Sequence, residues 1–487
     1  MIGQRQSPAA SAPAPGIRAA QFEPRRLQSL VLRNTLAIGV SRIGSVAFDG
    51  LTYVLTARYF GPAQYGQYLS ILAFLSLIDV ASDMTVMDIT VREMSKESAR
   101  MGTWLIACSI LRMALAILGL AAFAVYVHFA HYGGGSLRTL WIAALILPAG
   151  ALRTPLALFR ATMKMQYELG IVLATRALNL LLFAWLIQRH GTMNDFFVSI
   201  SGTRMLLALL CWIAVPSLIQ LRVSRLGECI RRLFRESIPM GISGAFVAIQ
   251  FKADILMLSL LSGAAAAGLY GAIAQLPEYS LYLPVILTTP VLPLLARSFA
   301  ESEKDRFEQI YGNMFKAVVS LLIPIALVAI IMPTATVVLL FGAQFAPVSK
   351  VLPLLALSIV ALWISHATAI AAVAVGLQSH FVRIQVICVT TYLAMDWLLI
   401  PRFGVTAAGT VRLIATTIAP LLTYRLLKKG GFRLKFRELR PTFLAGGAMA
   451  ATVWASSGLP IWFAAPAGVG AYTAVLWAGR RHATNQA

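Results

Sequence analysis

Fifteen ionisable side chains stand inside long apolar runs of this sequence, where water reaches them only if the fold brings it there. The basic ones are Arg42, Arg112, Arg153, Arg176, Arg204, Lys252, Lys316 and Arg412; the acidic ones are Asp49, Asp79, Asp83, Asp88, Asp254, Glu278 and Asp396. A guanidinium or ammonium in such a place neutralises a carboxylate or holds an anion, and a carboxylate holds a cation or a proton. Left facing hydrocarbon at roughly 2.5 to 3.5 kcal/mol each, the set would cost on the order of 40 kcal/mol, against the ~5 to 15 kcal/mol by which folds are stable. Most of them must therefore face one another or line a wet cavity.

Spacing sorts them further. Arg42 and Asp49, seven apart, share one helix face, as do Asp79 and Asp83, four apart. Ser243, Gln250 and Asp254 form one stripe of the seventh span, while Lys252 lies on the opposite side with Gly241, Ala245 and Ala248, so the two stripes cannot both face a cavity centre. Gly271, Gln275, Glu278 and Tyr282 make a polar stripe in the eighth span, and Pro284, Pro290 and Pro293 beyond it predict a kinked or broken helix. Arg42, Asp49, Arg112, Arg204, Lys252 and Glu278 fall nearest mid-membrane and are the functional candidates. Asp88 with Arg92 reads as a structural pair at the rim, Arg153, Arg160, Lys316 and Arg383 as chains that snorkel to the interface, and His366 as a packed polar residue.

The elements that must position these groups are membrane helices. The 487 residues are 59% hydrophobic and 12% charged, too little charge to cover a water-facing surface. A bilayer core needs about 20 mainly apolar residues per helix, and about fourteen such segments begin near Leu36, Gly66, Gly102, Thr139, Leu169, Asn194, Ile238, Ala266, Tyr311, Val348, Ser379, Val405, Pro441 and Ile461. The Lys and Arg residues crowd into alternate connections, among them Arg92 to Arg100, Arg222 to Arg235 and Arg425 to Arg440, and the intervening ones hold little more than Arg58, Arg138, Arg189, Lys350 and Arg402. That asymmetry predicts an even span number with both termini in the cytoplasm, and it reads the net charge of +22 as topology and contact with anionic lipid, not nucleic-acid binding.

The expected organisation is a disordered basic tail over 1–32, a six-helix lobe over 33–220, a basic connector over 221–237, a second six-helix lobe over 238–427, a basic loop over 428–440 and two extra helices over 441–480. The tail has no apolar core of the length a secretory signal needs. Cys108, Cys211, Cys229 and Cys388 have no metal or redox spacing and are expected to be free, small hydrophobes. Shifting the sequence by 202 positions superposes Gly39 on Gly241, Ser41 on Ser243, Gly61 on Gly263, Gly66 on Gly268 and Tyr68 on Tyr270. Halves six helices apart enter the membrane in the same direction, the parallel-repeat arrangement that holds a substrate between two lobes.

Catalytic motifs are missing from the sequence. No Gly-Lys dipeptide forms a phosphate loop and no His-Glu-x-x-His motif occurs. Short outer loops, with Asp195 their lone acid, count against a membrane glycosyltransferase or polymerase, which needs catalytic acids beside the bilayer. No cofactor is called for; energy would come from ion gradients, membrane potential or the lipid pool.

Leu55 to Leu77, LTARYFGPAQYGQYLSILAFLSL, resembles the start of the bacterial flippases that export O-antigen and exopolysaccharide repeat units, and Leu339 to Leu357, LLFGAQFAPVSKVLPLLAL, is similar to their second-half signature. The resemblance implies the multidrug/oligosaccharidyl-lipid/polysaccharide exporter fold: all-α, two six-helix lobes in a V around a central cavity, two extra helices and alternating access. It implies an inner-membrane transporter, not an enzyme, whose cargo is an undecaprenyl-diphosphate-linked oligosaccharide. Membrane lipids, a polymerase and glycosyltransferases are its expected partners. Arg42, Arg112, Arg204 and Lys252 are then the candidates to hold the diphosphate. Tyr53, Tyr270 and Tyr282 would contact sugar or pack between helices. The acids would act as internal partners or bind coupling Na+ or H+, with Asp49, Asp79 and Glu278 best placed. Within the superfamily, a multidrug exporter and a lipid II flippase are the rival readings.

Overall fold

A computed structural model describes residues 24–83, 85–129, 137–377, 379–429, 432 and 439–484. Most of the tail expected over 1–32 and of the basic loop expected over 428–440 lies outside the described residues. The helices are α1 (Pro24–Asp83), α2 (Val86–Lys96), α3 (Met101–Phe129), α4 (Leu137–Ala144), α5 (Ile146–Ala151), α6 (Pro155–Ala161), α7 (Met165–Gln188), α8 (Met193–Ala214), α9 (Leu226–Leu261), α10 (Ala264–Ser280), α11 (Tyr282–Thr288), α12 (Leu292–Ala300), α13 (Lys304–Ile331), α14 (Pro333–Phe341), α15 (Leu352–Ala374), α16 (Ser379–Lys429), α17 (Arg440–Ala455) and α18 (Ile461–Thr484). No strand occurs among the described residues.

Eleven of the described helical segments are long and apolar enough to cross a membrane. A straight helix of the length of α1 would run about 90 Å, three times the bilayer core, and it breaks instead at Gly61 (φ 68). α16 breaks in the same way at Gly404 (φ 54). Splitting these two and adding the shorter apolar α17 gives fourteen spans, the number the hydropathy predicts. Span four is α4, α5 and α6 in series, interrupted around Pro148 and Pro155. Span eight is α10, α11 and α12, with Pro290 in a 3-10 turn between the last two, so the proline-rich stretch does break the helix.

The two ends of the bundle are built differently. At the end carrying the turns at Gly61, Arg189–Thr192, Gly263, Gly342 and Gly404, where Lys and Arg are sparse, one core joins both lobes: Tyr65, Tyr68, Phe196 and Phe197 from the first pack with Tyr270, Ile273, Phe341 and Phe345 from the second. At the basic end each lobe has its own core, around Trp104 and Phe159 in the first and around Phe307 and Trp363 in the second. At the seam of the shared core the backbones touch. A Cβ at Gly66 would lie 1.7 Å from the Ala264 carbonyl oxygen, and one at Gly268 would lie 1.8 Å from that of Pro62. The repeat therefore pairs its own two glycines face to face.

α9 begins at Leu226, inside the stretch expected to be a connector, because its first turns are amphipathic and the apolar run starts only later. Cys229 and Leu233 bury against the first lobe's core, while the charged face meets α2: Arg232 pairs with Glu93 at 2.7 Å and with Glu236 at 3.0 Å, and Arg92 pairs with Glu93 at 2.8 Å and also with Glu236. The expected Asp88–Arg92 pair is replaced by these contacts. All four cysteines are free and buried.

Candidate functional site

A cavity of about 510 Å³ lies between the lobes. Tyr53, Tyr68 and Phe183 line its roof and belong to, or pack on, the core that joins the lobes. Beyond that roof the bundle is closed, so the cavity faces the basic end, where the cores are separate.

The first lobe supplies most of the charge. α7 presents Glu168, Val172, Arg176, Asn179 and Phe183 along one helical stripe, and α8 presents Ile200, Thr203, Arg204 and Leu207. Arg176 donates to Asp49 of α1 at 2.8 Å. Arg153 comes from the break between α5 and α6, where the backbone leaves the helix ahead of Pro155, and reaches Asp79 at 3.2 Å. Arg204 approaches the same carboxylate at 3.7 Å. Two guanidinium groups thus share one carboxylate, and both stay partly open to the cavity, at 26% and 32% exposure. Glu168 also lines the cavity, but both its oxygens accept from Arg160, at 3.0 and 2.8 Å. Counted with their partners, the first lobe's wall carries one more cation than carboxylate.

The second lobe contributes one neutral pair. Lys252 donates to Glu278 at 2.6 Å, and the Gln275 amide sits against both, donating to Glu278 at 2.8 Å and accepting from Lys252 at 3.3 Å. Tyr279 and Tyr282 complete that wall. Of the two stripes of α9, the one bearing Lys252 faces the cavity. Asp254 turns away and is wholly buried against Arg412, 2% exposed, whose Nη2 approaches it at 2.6 Å while Nε also donates to Tyr270 Oη at 3.1 Å.

Of the residues singled out for binding, the structure brings Arg204 and Lys252 to the cavity wall, together with Asp49 and Glu278, and sets Asp79 directly behind Arg153 and Arg204. Arg112 does not line it: it is 2% exposed in the first lobe's basic-end core, 3.4 Å from Asp83. Arg42 is exposed on α1 and is absent from the cavity lining. Arg153, expected to snorkel, and Arg176 take places in the wall. Two signals point to them in the sequence: the prolines flanking Arg153, since broken spans expose backbone and side chains at mid-membrane, and the polar residues Glu168, Arg176 and Asn179, which at i, i+8 and i+11 share one helix face. Tyr53 donates to the Gly271 carbonyl across the lobes, Tyr270 serves Arg412, and Tyr282 lines the cavity. His366 meets Thr288 at 3.1 Å.

This arrangement suits reversible binding of an anion that brings its own hydration problem into the bilayer. Two guanidinium groups that share one carboxylate keep a surplus positive charge to offer an incoming oxyanion. Among the described residues no group of three or more His, Cys, Asp or Glu is placed to hold a metal ion.

Comparison with known proteins bears on the fold and the family. A family model described as "Polysaccharide biosynthesis protein" matches residues 31–299, more than half of the chain. No curated protein matches in sequence. Among solved structures, the lipid II flippase MurJ in an inward closed conformation is similar at a TM-score of 0.72 and 14% identity, covering 93% of this chain and 100% of that one. An inward-facing multidrug resistance MATE family transporter of the MOP superfamily is similar at 0.61 and 10% identity, over 80% of this chain and 98% of that one. A Vibrio cholerae MATE transporter is similar at 0.54 and 14% identity, over 86% and 99%. The chain shares the fold of these structures, two six-helix lobes about a central cavity with two helices appended.

Proposed function

The chain belongs to the polysaccharide biosynthesis protein family, and from that premise we propose that it flips a polyprenyl-diphosphate-linked oligosaccharide across the inner membrane by alternating access. The observation that carries this reading is the pair Arg153 and Arg204 on the single carboxylate of Asp79. A diphosphate cannot enter hydrocarbon with its charge uncompensated, and Arg matches its oxygens in a bidentate way that a point charge does not. The headgroup enters from the basic end, taken as cytoplasmic from the Lys and Arg asymmetry. It displaces Asp79 from the two guanidinium groups and leaves its sugars toward Tyr279 and Tyr282. Asp49, Asp79 and Glu278 are then the carboxylates free to take up Na+ or H+ as their cations turn to the cargo. A multidrug exporter for organic cations calls for the opposite sign of surplus.

The test is transport of a fluorescent lipid-linked repeat unit in proteoliposomes. Arg153→Ala with Arg204→Ala is expected to abolish translocation while the protein still inserts and elutes as one species. Undiminished transport would remove the pair from the mechanism, and preferential transport of lipid II would move the assignment to that sibling cargo. Orientation is checked by cysteines in place of Arg189 and Glu301, which should label from opposite faces of the membrane.

A further inference from the structure

At the closed end of the bundle, on the outer rim of the shared core, α1 and the second lobe exchange hydrogen bonds through exposed polar side chains. Arg58 lies nine residues beyond Asp49, on the opposite face of α1, and is exposed. Its Nε donates to the Leu340 carbonyl at 2.8 Å, and its Nη2 donates to the Leu339 carbonyl. Both acceptors belong to the last turn of α14, on the outer turn between spans nine and ten. Because α14 stops at Phe341, they have no helical partner of their own. A guanidinium at the negative end of a helix is favoured by charge as well as by hydrogen bonding.

The contact is reciprocal. The Arg58 carbonyl would normally accept from residue 62, but that residue is Pro62, which has no N–H. Gln344, two residues past the turn at Gly342 (φ 93), supplies the missing donor: its Nε2 reaches the Arg58 carbonyl at 2.9 Å. The same side chain lies against the break in α1, since a Cβ at Gly61 would stand 2.9 Å from Gln344 Oε1. The stretch Leu55 to Leu77 carries Arg58, Gly61 and Pro62, and the stretch Leu339 to Leu357 carries both acceptor carbonyls and Gln344, so the two sequence signatures meet here. The repeat shows that the fold can do without this contact. Shifted by 202 positions, Arg58 falls on Leu260, which has no donor to offer and is 61% exposed.

We propose that Arg58 and Gln344 are positioning residues for transport: their reciprocal bonds hold the outer end shut while the cavity is open toward the basic end, and they set the fraction of molecules that wait in that state. The inference rests on the alternating-access reading above and goes beyond it. Arg58 belongs to the first lobe and Gln344 to the second, so parting of the lobes at this end breaks the contact from both sides at once. Neither residue lines the cavity, so they act on the balance of conformations and not on the cargo.

The test uses full-length protein in lipid nanodiscs with spin labels on Arg189→Cys and Arg402→Cys, exposed positions at the closed end, one on each lobe; the four native cysteines are buried. Double electron-electron resonance then reads the ratio of closed to open outer ends. Arg58→Ala is expected to move that ratio toward open by about tenfold, the loss of charge-assisted bonds moderated by water. Gln344→Ala should move it by about threefold, the loss of one neutral bond. Arg58→Lys keeps the charge but not the fork, and should fall between wild type and Arg58→Ala. Two distances whose ratio ignores all three substitutions overturn the proposal alone, and a lowered melting temperature in that case assigns the contact to folding. A single closed distance in wild type and variants alike, with or without an added diphosphate, overturns the proposal together with alternating access.

Discussion

The two lobes share a repeat but spend their charge differently. In the first, Asp49, Asp79, Arg153, Arg176 and Arg204 form pairs at a wall that water reaches, each side chain 19% to 40% exposed. In the second, Asp254 and Arg412 are sealed from solvent, braced by Tyr270 and by Phe251, whose ring centroid lies 5.8 Å from the guanidinium carbon. Asp396 is fully buried as well, with neither oxygen hydrogen-bonded. Among the described charged residues of the second lobe, only Lys252 and Glu278 line the cavity. Equivalent positions show the split: Tyr68 lines the cavity, while its counterpart Tyr270 holds the buried arginine in place. Matched folds thus give one lobe whose ion pairs open onto the cavity and one whose ion pair is sealed away from it.

The largest effect should come from the sealed pair. Asp254→Leu or Arg412→Leu alone leaves a buried charge without its partner and is expected to cost about 3 to 5 kcal/mol, whereas the double replacement should recover most of it. Thermal melts in detergent decide this, and single variants as stable as wild type would mean that the second lobe's pair is not a brace. At the first lobe's cavity wall the sign reverses. Asp79→Asn releases two guanidinium groups and should tighten binding of a short-chain diphosphate by about tenfold. Weaker binding would show that Asp79 orients those groups more than it competes for them.

Lys252→Met should matter less, a loss of about threefold in the same assay, because Glu278 already neutralises that ammonium in the resting cavity. A loss as large as for Arg204→Ala would place the headgroup between the lobes, away from the first lobe's wall. Smallest is the ion-pair network between α2 and α9 at the basic end. Glu236→Gln should lower stability by at most about 1 kcal/mol, and less in high salt. Hydrogen bonds from Arg232 and Arg92 hold the Glu236 carboxyl below its ordinary value. Its contribution is therefore present above the ordinary glutamate range and fades as pH falls through the lowered value; a melting temperature insensitive to acid in that window would show that the network carries no stability.

Span number, the broken eighth span and the glycine repeat were legible in the sequence because hydropathy, proline and backbone approach act locally. α9 shows where locality ends, since its first turns carry Arg231, Arg232 and Arg235 and read as a polar connector until the first lobe covers Cys229 and Leu233. The site was legible in residue type but not in assignment. Helical spacing separates the Lys252 stripe from the Asp254 stripe, yet which one faces the cavity depends on Arg412, 158 positions along the chain from Asp254. Arg112 looked equivalent to Arg204 in sequence and differs because Asp83 and Met87 enclose it.

The meeting of Gly66 with Gly268 has a mechanical corollary. Side-chain seams loosen gradually, one rotamer at a time, but a joint made of bare peptide groups has no such slack. Prising it apart strips contact from two whole helix turns together, so the closed end should behave as a latch with two positions. Its release would set the pace of the cycle more than any single ionic contact within the vestibule below it.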